Sequence, residues 1–141
     1  MSIFEPSPSR WTRRMLSIFR MVAGVMFFWS GTMKVFSWPT PPPQMPPFEL
    51  MTQMGIGGVL EVVGGALIVL GLFTRPTAFI LAGMMAVAYF QFHAPGGFYP
   101  NVNGGIPAVM YCFFFLYLVF AGAGEWSLDE RIARSGRRAP R

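Results

Sequence analysis

Nineteen residues, Met54 to Leu72 (MGIGGVLEVVGGALIVLGL), carry one charge, Glu61, among six glycines and a run of Val, Leu and Ile. At about 1.5 Å of rise per residue this stretch crosses a hydrocarbon core of about 30 Å, so it predicts a membrane helix. Gly57, Gly64 and Gly71 recur every seven residues, with Gly58 and Gly65 beside them. Heptad spacing keeps the glycines on one face, where the missing Cβ lets a second helix approach closely. Glu61 falls in the middle of that surface. A carboxylate in lipid is costly unless it is protonated, paired or wet, which makes Glu61 the first functional candidate.

Composition agrees with a membrane setting. Of 141 residues, 53% are hydrophobic and only 12% charged, about half the usual globular share, so the chain has room for one apolar domain. Nine of the eleven Lys and Arg lie before Leu16, between Leu72 and Pro76, or after Ser127; Arg20 and Lys34 are the others. A nucleic-acid binder would carry a basic stripe on a soluble fold, and here the positive charge gathers at membrane edges. The single Cys112 allows no internal disulfide and no CxxC pair, and in its apolar run it reads as a small hydrophobe. One histidine excludes a multi-His metal site within a single chain.

Residues 1–14 read as a disordered basic arm with Trp11 at headgroup depth, and no cleavage site marks them as a signal peptide. A first span is expected from about Met15 to Phe36, with Gly24 and Gly31 again seven apart. Ser37 to Pro47 holds six prolines, which lack the N–H and fix φ, so an extended cap follows. Phe48 to Gln53 is expected to start the second helix. Thr74-Arg75-Pro76 is the break before a third span, about Thr77 to His93, with Pro76 starting it. A Gly/Asn-rich loop without Lys or Arg then leads to a fourth span, about Ile106 to Ala121, and residues 127–141 form a basic tail. The expected fold is all-α, a four-helix transmembrane bundle over residues 15–126. The positive-inside rule places both termini in the cytoplasm and the Pro-rich and Gly/Asn-rich loops outside, in the inner or plasma membrane.

This topology gathers polar groups in the outer half. Glu61 lies about 10 Å below the outer start of its span. Lys34 closes the first span on that side, His93 closes the third, and Asn101 and Asn103 occupy the outer loop. Glu61 with Lys34 is a neutralising pair, and Glu61 with His93 a proton-handling couple. Lys34 can also snorkel. Arg20 starts from the inner end and must reach across; a guanidinium inside a span seeks a carboxylate or backbone carbonyls. Such a cluster can equally serve only to fix helix register. No phosphate loop, dinucleotide fingerprint, serine triad or metal motif occurs.

Four stretches, RMVAGVMFFWSGTMKVF (Arg20 to Phe36), EVVGGALIVLGLFTRPTA (Glu61 to Ala78), GMMAVAYFQFHAPGGFYPNVNGG (Gly83 to Gly105) and AGAGEWSLDERI (Ala121 to Ile132), together resemble the DoxX family of small four-helix membrane proteins. The resemblance carries Arg20, Lys34, Glu61, Arg75, His93 and Asn103 as shared polar positions. One departure is Ile106, where relatives commonly follow NGG with a glutamate. Some family members are subunits of a membrane thiosulfate:quinone oxidoreductase, and others belong to complexes handling thiol and oxidative stress. The resemblance therefore implies a quinone-linked oxidoreductase subunit. Glu61 and His93 are its catalytic candidates, and Lys34, Arg20 and Asn103 its substrate-binding candidates. No metal and no covalently bound cofactor is expected; a membrane quinone is the cofactor candidate. The expected partners are the lipid bilayer, a redox partner or second subunit, and a further copy of the chain, with no nucleic acid. The alternative is a non-catalytic scaffold or small-molecule carrier. A channel fits less well, because four short helices leave little space for a pore.

Overall fold

The computed structural model describes residues 9–138, and among them every regular element is helical. Helix α1 (Arg10–Phe36) is followed by α2 (Gln53–Leu70) and α3 (Thr74–Ala88). The last continues through one wide π turn (Tyr89–His93) and one 3-10 turn (Ala94–Gly96). A short α4 (Pro100–Asn103), the apolar α5 (Ile106–Ala121) and a polar α6 (Leu128–Arg138) complete the chain. Among the described residues there are thus six α-helices where a bundle of four spans was expected, because a turn of the Gly/Asn-rich loop and the basic tail are themselves helical. Arg10–Phe36, Gln53–Leu70 and Thr74–Gly96 are long and apolar enough to cross a membrane; α5 is apolar but only 16 residues long.

Local chemistry sets each boundary. Ser9 accepts the Thr12 amide at 3.2 Å and starts α1 ahead of the basic residues. Only residues 1–8 of the expected arm therefore lie outside the described residues. Thr52 caps α2 by accepting the Gly55 amide at 3.0 Å, which holds Phe48 to Thr52 outside the helix. Gly71 ends α2 with φ +65, a left-handed conformation that costs glycine nothing. The link to α3 is Gly71 to Phe73, and Pro76 falls within the first turn, where its missing N–H is not needed.

Helices α1 and α2 run antiparallel along a glycine seam. A Cβ on Gly31 would meet the Val62 nitrogen at 2.6 Å, and one on Gly65 would meet the Phe28 backbone at 2.8 Å. Gly24 faces Ile68 and Val69 in the same manner. The heptad expectation holds for Gly58 and Gly65, but Gly64 faces Leu81 of α3 and Gly57 has open space before it. Phe27, Ile68, Leu81, Met85, Phe115 and Leu118 form the core between α1, α2, α3 and α5. Outside it, Phe19, Phe79, Phe90, Phe113 and Phe120 are exposed, as suits a protein whose solvent is lipid.

Candidate functional site

Lys34 reaches from α1 across the seam to Glu61 of α2, Nζ to Oε1 2.5 Å. The ammonium arrives there because Gly58 carries no side chain: a Cβ at Gly58 would stand 3.1 Å from Lys34 Cβ. Glu61 is 4% exposed. Its second oxygen, Oε2, is buried without a hydrogen-bond partner. A buried acceptor left unpaired costs about 1–3 kcal/mol, more when charged, so it marks a place where a donor is missing.

Both residues line a cavity of about 650 Å³ between α1, α2, α3 and α5. Its walls are mostly apolar, with Phe27, Leu60, Met84, Met85 and Phe92 among them, and Ser30, Gln53, His93 and Tyr111 add polar groups. Gly57, the glycine with nothing opposite it, is part of this wall. Few polar groups converging on an apolar hollow is the usual form of a small-molecule site.

His93 ends the π turn, whose extra residue re-aims the side chains that follow it. Its Nδ1 lies 3.2 Å from the Asn103 carbonyl oxygen. A carbonyl only accepts, so Nδ1 carries a proton, and in the neutral ring Nε2 is the acceptor. The Asn103 side chain is turned into its own loop. Nδ2 donates to Gly97 O at 2.6 Å, and Oδ1 accepts the Gly105 amide at 2.7 Å. Asn103 thus holds the loop that holds His93, while the adjacent Gly104 lines the cavity.

Arg20 is placed elsewhere. It is wholly buried near the opposite end, where Nε donates to Ala123 O at 2.8 Å and Nη2 to Trp126 O at 2.6 Å. Nη1 donates to Val69 O at 2.6 Å and also to Ile68 O. The carbonyls expected for an intramembrane guanidinium are its partners, two from the last turn of α2 and two from the segment after α5. Arg20 therefore does not join Glu61, Lys34 and His93, and its place is at the helix end rather than in the cavity wall.

Three wall residues escaped the reading of the sequence. Ser30 precedes Lys34 by one helical turn, a spacing that does put both on one face. Tyr111 is the polar tip in an aromatic run, and Gln53 donates to Gln91 of the π turn. Among the described residues, no three His, Cys, Asp or Glu side chains gather as metal ligands.

The profile of the DoxX family matches residues 15–94, over half of the 141 residues. An uncharacterized protein of Haemophilus influenzae is 41% identical over 119 residues, 82% of this chain and 89% of its own length. An uncharacterized membrane protein of Mycobacterium tuberculosis is 28% identical over 89 residues, 56% of this chain and 55% of its own. A second Haemophilus influenzae protein is 32% identical over 74 residues, 52% of this chain and 49% of its own. No solved structure matches. A multi-pass helical chain with this profile over most of its apolar helices, and a relative matched nearly end to end, is a membrane protein of the DoxX family.

Proposed function

We propose that this chain is a subunit of a quinone-linked membrane oxidoreductase, of the thiosulfate:quinone or thiol and oxidative-stress type, and that the Glu61 cavity receives the quinone headgroup. In this reading α1, α2, the α3 run and α5 all cross the bilayer, both termini are cytoplasmic, and the cavity lies in the outer half. The observation that carries it is the unpaired Glu61 Oε2 in the wall of an apolar hollow beside a lysine and a histidine with a free Nε2.

A quinone bound there supplies two-electron, two-proton redox chemistry, which no side chain of this protein supplies. The protein's share is proton and position. The Lys34 ammonium would supply the donor for the oxidised headgroup, whose oxygens only accept, and Glu61 Oε2 and His93 Nε2 would accept from the hydroxyls of the reduced one. Lys34 balances the carboxylate while Glu61 exchanges protons, and Asn103 fixes the histidine tautomer. Leu60, Met84, Met85 and Phe92 shield the ring from water. Electrons come from a partner subunit that oxidises a sulfur substrate.

Protein co-purified with its partner from its own membranes tests this. Glu61→Gln is expected to leave a folded bundle that no longer forms quinol from the donor; quinol formation at the wild-type rate ends the proposal. A second reading rests on the position of the Lys34–Glu61 pair across the α1/α2 seam, which suits a purely structural clamp. There the same substitution lowers the unfolding temperature and leaves every redox rate unchanged.

A further inference from the structure

A second cavity, of about 910 Å³, opens at the other end of the bundle, among α1, the start of α3 and the end of α5. Its wall is divided. Leu16, Phe73, Tyr117 and Phe120 form an apolar half, and Phe73 and Phe120 are largely exposed on the bundle surface. The polar half carries two carboxylates and two guanidiniums.

Both carboxylates are already engaged. Asp129 accepts the Phe73 and Thr74 amides, each at 2.9 Å, and so sits on the positive end of α3. Glu130 pairs with Arg13 at 3.1 Å and with Arg134 at 3.0 Å. Arg75 is exposed and, among the described residues, has no carboxylate within ion-pair distance. Its guanidinium lies beside Gly122, where an added Cβ would stand 3.6 Å from Nη2. Thr74, wholly buried in the same wall, has an Oγ1 with no hydrogen-bond partner.

We propose that this groove binds an anionic phospholipid of the surrounding leaflet, with Arg75 on the phosphate and the aromatic wall along the first acyl carbons. A guanidinium is planar and forked, and it grips a phosphate through two parallel hydrogen bonds. The Thr74 hydroxyl supplies a further donor at the floor. A soluble anion would satisfy Arg75 but leave Phe73 and Phe120 uncovered; a lipid satisfies both halves at once. The site stands apart from the Glu61 cavity and does not depend on what binds there.

The full-length protein in a neutral detergent, titrated with phosphatidylglycerol or phosphatidylcholine, tests the proposal through its thermal unfolding midpoint. Phosphatidylglycerol is expected to raise the midpoint and phosphatidylcholine not to. Arg75→Gln is expected to weaken the apparent affinity for phosphatidylglycerol about fivefold, the worth of one basic residue at an anionic surface. Arg75→Lys should recover part of it, and Arg137→Gln, outside the groove, should change little. Because Arg75 is exposed, Arg75→Gln and Arg75→Lys keep the wild-type midpoint without lipid. Equal losses in Arg75→Gln and Arg137→Gln mean diffuse attraction and overturn the site. So does an equal shift with inorganic phosphate, which assigns Arg75 to a soluble anion.

Discussion

Glu61 keeps one oxygen on Lys34 at 2.5 Å and the other without a partner, and the two oxygens answer different experiments. The paired oxygen concerns stability. Lys34→Met leaves the Glu61 carboxyl without its partner among apolar neighbours, and removing one member of a buried pair costs about 3–5 kcal/mol. Lys34→Met is therefore expected to unfold at clearly lower denaturant in a detergent titration. The double variant Lys34→Met/Glu61→Leu should regain most of that loss, since it removes the stranded carboxyl as well. Additive losses in the two single variants and the double would show that the residues are not coupled. At Arg20 the prediction concerns geometry more than charge. Its fork holds four carbonyls, and Arg20→Lys keeps the charge but cannot reach them all. Each hydrogen bond involving a charged group contributes about 1.5–3 kcal/mol, so the substitution should cost at least about 2 kcal/mol in the same titration. A neutral result would mean that water replaces the lost donors. The sequence made the Lys34–Glu61 pair legible, because helix length and loop order bring both to one depth. It did not make the Arg20 partners legible: two of them lie 103 and 106 residues away, in a loop whose path no periodicity encodes.

At the scale of helices, the glycines of α2 separate into positions that share a sequence signature and differ in surroundings. Gly65 presses on the Phe28 backbone, which cannot rotate away, so Gly65→Ala must push α1 and α2 apart. Overpacking of this kind typically costs about 1–3 kcal/mol. Gly57 faces the cavity with nothing within 4 Å, and Gly57→Ala should instead stabilise α2 by up to about 1 kcal/mol through helix propensity. Opposite shifts in unfolding midpoint for the two alanines are the expected outcome; two shifts of one sign would contradict the seam. A seven-residue repeat announces that some helix comes close, but only packing decides which glycine it meets. The π turn at Tyr89–His93 is hidden for a similar reason. Its residues, YFQFH, suit an ordinary helix, and the wider turn depends on Tyr89 and Asn103 tying it to the loop beyond. The boundaries of α5, in contrast, follow from Pro107 and Gly122, and these were readable.

Across the whole molecule, the end of the bundle where α1 begins and α5 finishes is closed by the segment after α5. Ser17 accepts the Trp126 amide at 3.0 Å, Glu125 pairs with Arg14 at 3.3 Å, and Asp129 caps α3. Ser127 then accepts the Glu130 amide at 3.2 Å and starts α6. Glu130 is the part of this closure that pH can address. Its hydrogen bond with Arg134, and after it the charge of Arg13, hold its carboxyl below the usual value of 4.5. A depressed pKa means that the folded state binds the proton less readily than the unfolded one. The stabilisation is therefore complete above about pH 4.5 and is lost as pH falls through the folded value. Hydrogen exchange should accordingly show α6 amides less protected at about pH 3 than at about pH 6, after correction for intrinsic rates. Because the ion pairs are partly exposed, added salt should narrow the difference. Glu130→Gln should narrow it as well, starting from lower protection at the higher pH. Equal protection of α6 at both pH values in the wild-type chain would mean that Asp129 and the Ser127 cap hold the helix without help from Glu130.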